Sequence, residues 1–230
     1  MEKLETGRQP QNTQQAGSRI SIIGMVQTAI FGAIIIIMAF TPFLGYIPLG
    51  FTRATIIHIP VIIGSLMLGP KRGAALGFVF GLTSFINNTI NPSVTSFVFT
   101  PFYSLGEYSG GFGSILICFL PRILVGVVPY YVYRLVTKIA GKWEKKGTAA
   151  GLALAGLSGS LTNTLLVMHM ILLFFGHDYA MASEITGNVY LAILAVIGIN
   201  GVPEAIVAAV IVMLIGKVLM NTKVMKNIGV

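Results

Sequence analysis

Residues Phe112 to Val136 read FGSILICFLPRILVGVVPYYVYRLV, twenty-five positions that carry only two charges, Arg122 and Arg134. A run this apolar exceeds the ~18 residues that mark a bilayer span, and as a helix it would extend well past a ~30 Å hydrocarbon core. The stretch therefore reads as a transmembrane helix with an arginine some ten residues inside it. Working outward, further apolar segments lie at about Ile20 to Phe40, Ala54 to Leu68, Gly73 to Ile86, Thr148 to Phe175 and Tyr190 to Met220. The expected fold class is an all-α membrane protein, a six-transmembrane-helix bundle spanning 19–221. Spans two and three, about 15 and 14 residues, are expected to be the less regular ones. Composition agrees: of the 230 residues 55% are hydrophobic and only 10% charged, against roughly 25% in soluble domains.

The net charge of +8 suggests nucleic acid in a soluble protein, but here topology explains it. Lys3, Arg8 and Arg19 precede span one, Lys71 and Arg72 separate spans two and three, Arg134, Lys138, Lys142, Lys145 and Lys146 lie between spans four and five, and Lys217, Lys223 and Lys226 close the chain. If the spans alternate, these thirteen of the fifteen Lys and Arg fall on one side, which the positive-inside rule makes cytoplasmic. Both termini are then expected inside, with no nucleic-acid partner. Residues 1–18, polar and lacking the regions of a cleavable signal peptide, read as a disordered cytoplasmic tail, and 222–230 as a basic one.

On the other side, Asn87 to Gly111 (NNTINPSVTSFVFTPFYSLGEYSGG) is a long, aromatic-rich connection. It reads either as a lid over a binding site or as an interfacial belt of Phe97, Phe99, Phe102, Tyr103 and Tyr108.

Catalytic motifs are weak. The nearest approach to a nucleotide-binding loop, Gly64 to Arg72, has Pro70 after its second glycine, and proline offers phosphate no amide hydrogen. Gly156-Leu157-Ser158-Gly159 matches the Gly-x-Ser-Gly of intramembrane serine proteases. Its base is missing: His169, eleven residues along the same helix, is about 16 Å away along the axis, and nothing in the sequence brings His58 or His177, the latter expected in a loop, to the serine. With a single cysteine, Cys118, and three scattered histidines, neither a disulfide nor a metal site is expected, and no cofactor.

Polar groups inside spans carry more information, since an ionisable side chain at the bilayer centre costs at least ~2.5 kcal/mol and faces a bundle interior or pocket. These are Arg122 and Glu204, joined by Asn163, His169, Asn188 and Asn200. Arg122 and Glu204 read either as a helix-tying ion pair or as ligand contacts. Pro121 and Pro129 are expected to interrupt span four, and Pro203, beside Gly198 and Gly201, span six. Small-residue stripes at Gly73, Gly77 and Gly81, and at Ala29 and Ala33, permit close helix approach.

Several of these segments together carry a resemblance. Ala29-x-x-x-Ala33, Phe51-Thr52-Arg53-Ala54-Thr55-Ile56-Ile57-His58-Ile59-Pro60, Leu68-Gly69-Pro70-Lys71, Gly77-Phe78-Val79-Phe80-Gly81, Ser96-Phe97-Val98-Phe99 and Pro121-Arg122-Ile123-Leu124-Val125-Gly126 resemble the S components of energy-coupling factor (ECF) vitamin transporters, the pantothenate branch most. The resemblance covers about residues 20 to 220. It implies a non-enzymatic substrate-capture subunit of an ABC-type importer in the bacterial cytoplasmic membrane, partnered by a transmembrane coupling subunit and two ATPases. It implies docking of the coupling subunit on Ala29 and Ala33, and toppling in the membrane to release substrate. The expected substrate contacts are Arg122, Arg53, Phe99, Tyr103, Asn163, His169, Asn188, Asn200 and Glu204. Pantothenate is the expected vitamin; hydroxymethylpyrimidine, folate or cobalamin are the alternatives. An autonomous secondary transporter would show inverted repeats, and residues 20–90 and 112–220 show no convincing similarity.

Overall fold

The structure is a computed structural model and describes residues 14–41, 44–49, 52–140 and 144–221. The expected tails at 1–13 and 222–230 lie outside the described residues, while 14–18, expected in the first tail, already belong to a helix. The chain is a bundle of apolar helices: α1 (Gln14–Phe40), α2 (His58–Leu68), α3 (Pro70–Ile90), α4 (Phe112–Val125), α5 (Val128–Ala140), α6 (Glu144–Ala182), α7 (Val189–Val196) and α8 (Val202–Asn221). Five stretches are long and apolar enough to span a bilayer, 22–40, 70–90, 112–140, 149–182 and 189–219. With α2 they reproduce the six-segment bundle expected of a multi-pass membrane protein.

The second segment is shorter than its hydropathy indicates. Ala54 and Thr55 belong to strand β2 (Thr52–Thr55), which pairs antiparallel with β1 (Tyr46–Leu49), and α2 starts only at His58. Pro60 explains the boundary: lacking an N–H, proline is tolerated in a helix's first turn but not in its interior. At eleven residues α2 is about 16 Å long, and it is buried on every side from His58 to Leu66. The third segment, by contrast, is longer than expected. Its last turns are polar, but Thr83, Asn88 and Thr89 hydrogen-bond carbonyls of their own helix. Gly69, at φ +86°, is the only residue between α2 and α3, a left-handed conformation in which a side chain would be strained.

The connection from 91 to 111 is not a structureless loop. A 3₁₀ turn at Ser96–Val98 and the hairpin β3 (Ser104–Leu105) with β4 (Tyr108–Ser109) give it a packed form. Ser96 Oγ donates to Asn88 Oδ1 at 2.8 Å and accepts from the Ser93 amide, and Ser114 Oγ donates to the Phe97 carbonyl at 2.7 Å. Phe97 and Val98 are fully buried with Ile117, Ile171 and Ile193, so Phe97 is a core residue rather than part of an interfacial belt. A second core cluster, around Ile35, Ile62, Leu76, Phe80 and Leu152, fills the rest of the bundle.

Helix breaks fall differently from the expectation at one proline. α4 runs straight through Pro121, and the break in this segment comes at Gly126–Val127, just before Pro129. Ser65 Oγ donates to the Gly126 carbonyl there, at 2.6 Å. Near Pro203 the chain passes through a π-helical turn, Ile197–Gly201, before entering α8.

Candidate functional site

Pro121 has no N–H to give the Ile117 carbonyl one turn earlier, and this shortfall positions Arg122. Its Nη1 donates to Ile117 O at 2.6 Å, in place of the missing backbone donor, and α4 continues through Pro121 to Val125. The guanidinium carbon lies 5.1 Å from the centre of the Phe99 ring and 5.7 Å from that of Phe80, within cation–π range. Arg122 is 7% exposed, and its Nε has no hydrogen-bond partner.

Arg122 belongs to a layer of polar groups whose level follows from tight helix contacts. A Cβ on Gly159 would run into Ile62 and Pro129, and one on Gly113 into Phe174 and Phe175, which sets α6 antiparallel to α2 and α4. One turn from the Gly159–Ile62 contact, Asn163 comes level with His58; interpolation along α4 brings Arg122 to within about a turn of Asn163. Gly156 meets Ala208 and Gly201 meets Thr164, which place Glu204 opposite Ser160 and Asn200 beside Thr164. Among the described residues, five buried side-chain atoms lack a hydrogen-bond partner: Nδ1 and Nε2 of His58, Nε of Arg122, Oγ of Ser160 and Oδ1 of Asn163. All five sit on four residues of this one layer. An unsatisfied buried polar atom costs about 1 to 3 kcal/mol, and such a concentration marks a place where an exogenous polar molecule would supply the partners.

Glu204 and Arg122 do not form the ion pair considered from the sequence. The Glu204 carboxylate instead accepts from the Thr55 amide at the end of β2, at 2.9 Å. Other expected site residues separate. Asn163 is buried in the layer and Asn200 is half-buried at its edge. His169 is exposed and donates from Nδ1 to its own helix, at Leu165 O (2.7 Å). Asn188 is exposed and caps α7, its Oδ1 accepting from the amides of Tyr190 and Leu191. Arg53 lies on β2 opposite Pro48, and its side chain is outside the described residues. Phe99 reaches the layer through Arg122; Tyr103 packs half-buried against the Phe97 cluster, and Phe102 is 75% exposed beside Phe85.

His58, Ser160 and Phe80 join the site although the substrate contacts expected from the sequence omit them. A histidine opening an otherwise apolar helix was the available signal for His58; Ser160 and Phe80 look like ordinary helix residues.

Ser158 donates to the Ala155 carbonyl at 3.0 Å, and its flanking glycines pack against Ala208 and Ile62, as small residues at helix contacts do. His177 lies inside α6 rather than in a loop; it is exposed, and its Nδ1 is 3.5 Å from Asp178 Oδ1. Away from the layer, an open cleft of about 600 Å³ runs along α5 beside Tyr131, Arg134, Leu135, Thr137 and Lys138. On α1, Ala29 and Ala33 are exposed, while Gly24 on the opposite side lies against the Arg72 guanidinium.

Comparison with known proteins agrees with this architecture. Residues 24–216 match the family described as ECF transporter, substrate-specific component. The chain is similar to the pantothenic acid transporter PanT of Lactococcus lactis subsp. cremoris, 37% identical over 185 residues that make up 80% of this chain and 86% of the relative. It is also similar to the pantothenate transporter PanT of Leuconostoc mesenteroides subsp. mesenteroides, 30% identical over 207 residues, 85% and 91% of the two chains. A multi-pass helical bundle matched along most of its length to one family leads to a plain conclusion: this protein belongs to the substrate-specific components of ECF transporters.

Proposed function

We propose that this chain captures pantothenate at the extracellular face of the cell membrane and hands it to an energising module made of a transmembrane coupling subunit and two ATPases. Both termini are cytoplasmic in this reading, as the thirteen clustered Lys and Arg require. The site is then reached from the end that carries the two hairpins. The names of the two PanT relatives support the vitamin. The observation that carries the reading is Arg122, a buried guanidinium with no carboxylate partner among the described residues and with Nε free.

Pantothenate brings one carboxylate, one amide and two hydroxyls. With Nη1 committed to Ile117, the Nε edge of Arg122 is the part of the fork that grips the carboxylate, strengthened by desolvation and by the Phe99 and Phe80 rings. Asn163 and Ser160, with Asn200 and Glu204 at the edge, face the uncharged groups. Ala29 and Ala33, exposed on α1, form the docking stripe for the coupling subunit.

Calorimetry on the purified chain tests this. Pantothenate should bind in preference to folate, hydroxymethylpyrimidine and cobalamin. Arg122→Gln should weaken pantothenate tenfold or more while a neutral pantothenol-like analogue is little affected. Equal losses for both ligands would reduce Arg122 to the structural donor for Ile117 and refute the carboxylate contact.

A further inference from the structure

We propose that His58 is a specificity-determining residue that reads the hydroxyl-bearing end of the ligand, the chemical opposite of the carboxylate held by Arg122. The inference rests on the pantothenate reading for the identity of those hydroxyls.

His58 is 1% exposed, and among the described residues only the Thr55 backbone approaches its ring, without a fully formed hydrogen bond to either nitrogen. Its chain neighbours Ile57, Ile59, Pro60, Val61 and Ile62 are all buried, so its own helix offers hydrophobic packing and no side-chain partner. A phenyl ring would satisfy that environment at no polar cost. An imidazole in its place contributes two things a phenyl ring lacks: in the neutral form, one nitrogen donates and the other accepts. A hydroxyl both donates and accepts, so a ligand with two of them can answer both ring nitrogens.

Position supports the same role. By helix register His58 lies level with Asn163 on α6, and the three remaining partnerless atoms of the layer, on Arg122, Ser160 and Asn163, lie within about a turn of it. Arg122 is the only cation among these four, so the acid end of an asymmetric ligand is drawn to α4. The uncharged end is left to α2 and α6, where His58, Ser160 and Asn163 project. A buried site built to hydrogen-bond a hydroxyl rejects an analogue lacking it more strongly than an apolar pocket rejects an added group. The arrangement therefore selects a hydroxylated carboxylic acid over a simple acid of the same length.

The test uses the full chain purified in detergent, with His58→Phe and His58→Asn. His58→Phe should leave the ligand-free melting temperature about unchanged, because no fully formed hydrogen bond is removed, and should weaken pantothenate at least tenfold. A deoxy analogue lacking both hydroxyls but keeping the carboxylate should bind wild type and His58→Phe within about twofold of each other. His58→Asn, which retains a donor and an acceptor, should keep more pantothenate affinity than His58→Phe. Unchanged pantothenate affinity in His58→Phe, equal losses for pantothenate and the deoxy analogue, or the reverse order of Asn and Phe would each overturn the assignment. A wild-type chain that binds no pantothenate would instead sink the proposed substrate, and the hydroxyl assignment with it, a failure seen before any variant is measured.

Discussion

Glu204 Oε1 and the Thr55 amide are 149 residues apart in sequence and 2.9 Å apart in the fold. Their hydrogen bond fastens the end of the β1–β2 hairpin to the first turn of α8. That turn is no free helix end, because helical backbone runs unbroken from Val189 through the π-helical turn into α8. The side chain reaches instead to the strand that leads, through Ile56 and Ile57, straight into His58. The hairpin is thus held to the polar layer from two directions, by α8 at Thr55 and by α2 at His58.

Removing that carboxylate should loosen the hairpin before it unfolds the bundle. In Glu204→Ala the Thr55 amide loses a hydrogen bond that contributes about 0.5 to 1.5 kcal/mol, and its hydrogen exchange should accelerate. Glu204→Gln keeps an acceptor oxygen and should retain most of the protection. The measurement is amide exchange at Thr55 by mass spectrometry; equal exchange in wild type and Glu204→Ala would show that the hairpin is held by other contacts.

Docking and capture should separate on α1. Ala29 and Ala33 are exposed, whereas Gly24, a half-turn round the helix from Ala33, faces the Arg72 guanidinium. Ala29→Leu or Ala33→Leu should abolish co-purification with the coupling subunit and leave pantothenate affinity within about twofold of wild type, because a bulky side chain keeps two helices apart without touching the polar layer. Intact co-purification and transport in both variants would move the docking surface elsewhere.

The aromatics of the 91–111 segment should not act alike. Phe99 lies over the Arg122 guanidinium, Tyr103 packs half-buried on the Phe97 cluster, and Phe102 is mostly exposed. Stopped-flow dissociation should therefore speed up most for Phe99→Ala, less for Tyr103→Ala and least for Phe102→Ala, with association rates changed little. Dissociation unaffected by Phe99→Ala would leave the segment a structural cover only.

Gly77 provides a stability test with an internal control. A Cβ there would collide with the Arg122 carbonyl and the Ile123 backbone, whereas a Cβ on Gly32 meets nothing within 4 Å. Gly77→Ala should lower the melting temperature, at a cost of about 1 to 3 kcal/mol, and weaken ligand binding by shifting Arg122. Gly32→Ala should be neutral or slightly stabilising, since alanine is the better helix former by up to ~1 kcal/mol. The same melting curve for both variants would mean that α3 and α4 have slack at this contact.

Part of the polar layer was legible where residue type conflicts with surroundings. Arg122, Asn163 and Glu204 stand out as polar groups in apolar runs, and helix register brings all three within about a turn of one another. His169 and Asn188 carry the same signal yet are exposed, one bonded to its own helix and the other to the amides that open α7. Hydropathy records that a residue is polar within a span but not which way it faces. It also cannot reveal that a group is already satisfied by a neighbour one turn away, as His169 is.

Sequence alone determined that the chain is a six-segment membrane bundle, because the length of an apolar run is a local quantity. Hydropathy misplaces the start of α2: the apolar run begins at Ala54, whereas the helix opens at His58, two residues before Pro60. Tertiary structure decided the rest: that Glu204 bonds Thr55 rather than Arg122, that Arg122 replaces the amide Pro121 lacks, and that His58 and Ser160 join Asn163 in one layer. Those partnerships depend on the register at which antiparallel helices pack, which contacts such as Gly159 against Ile62 fix and no single segment encodes.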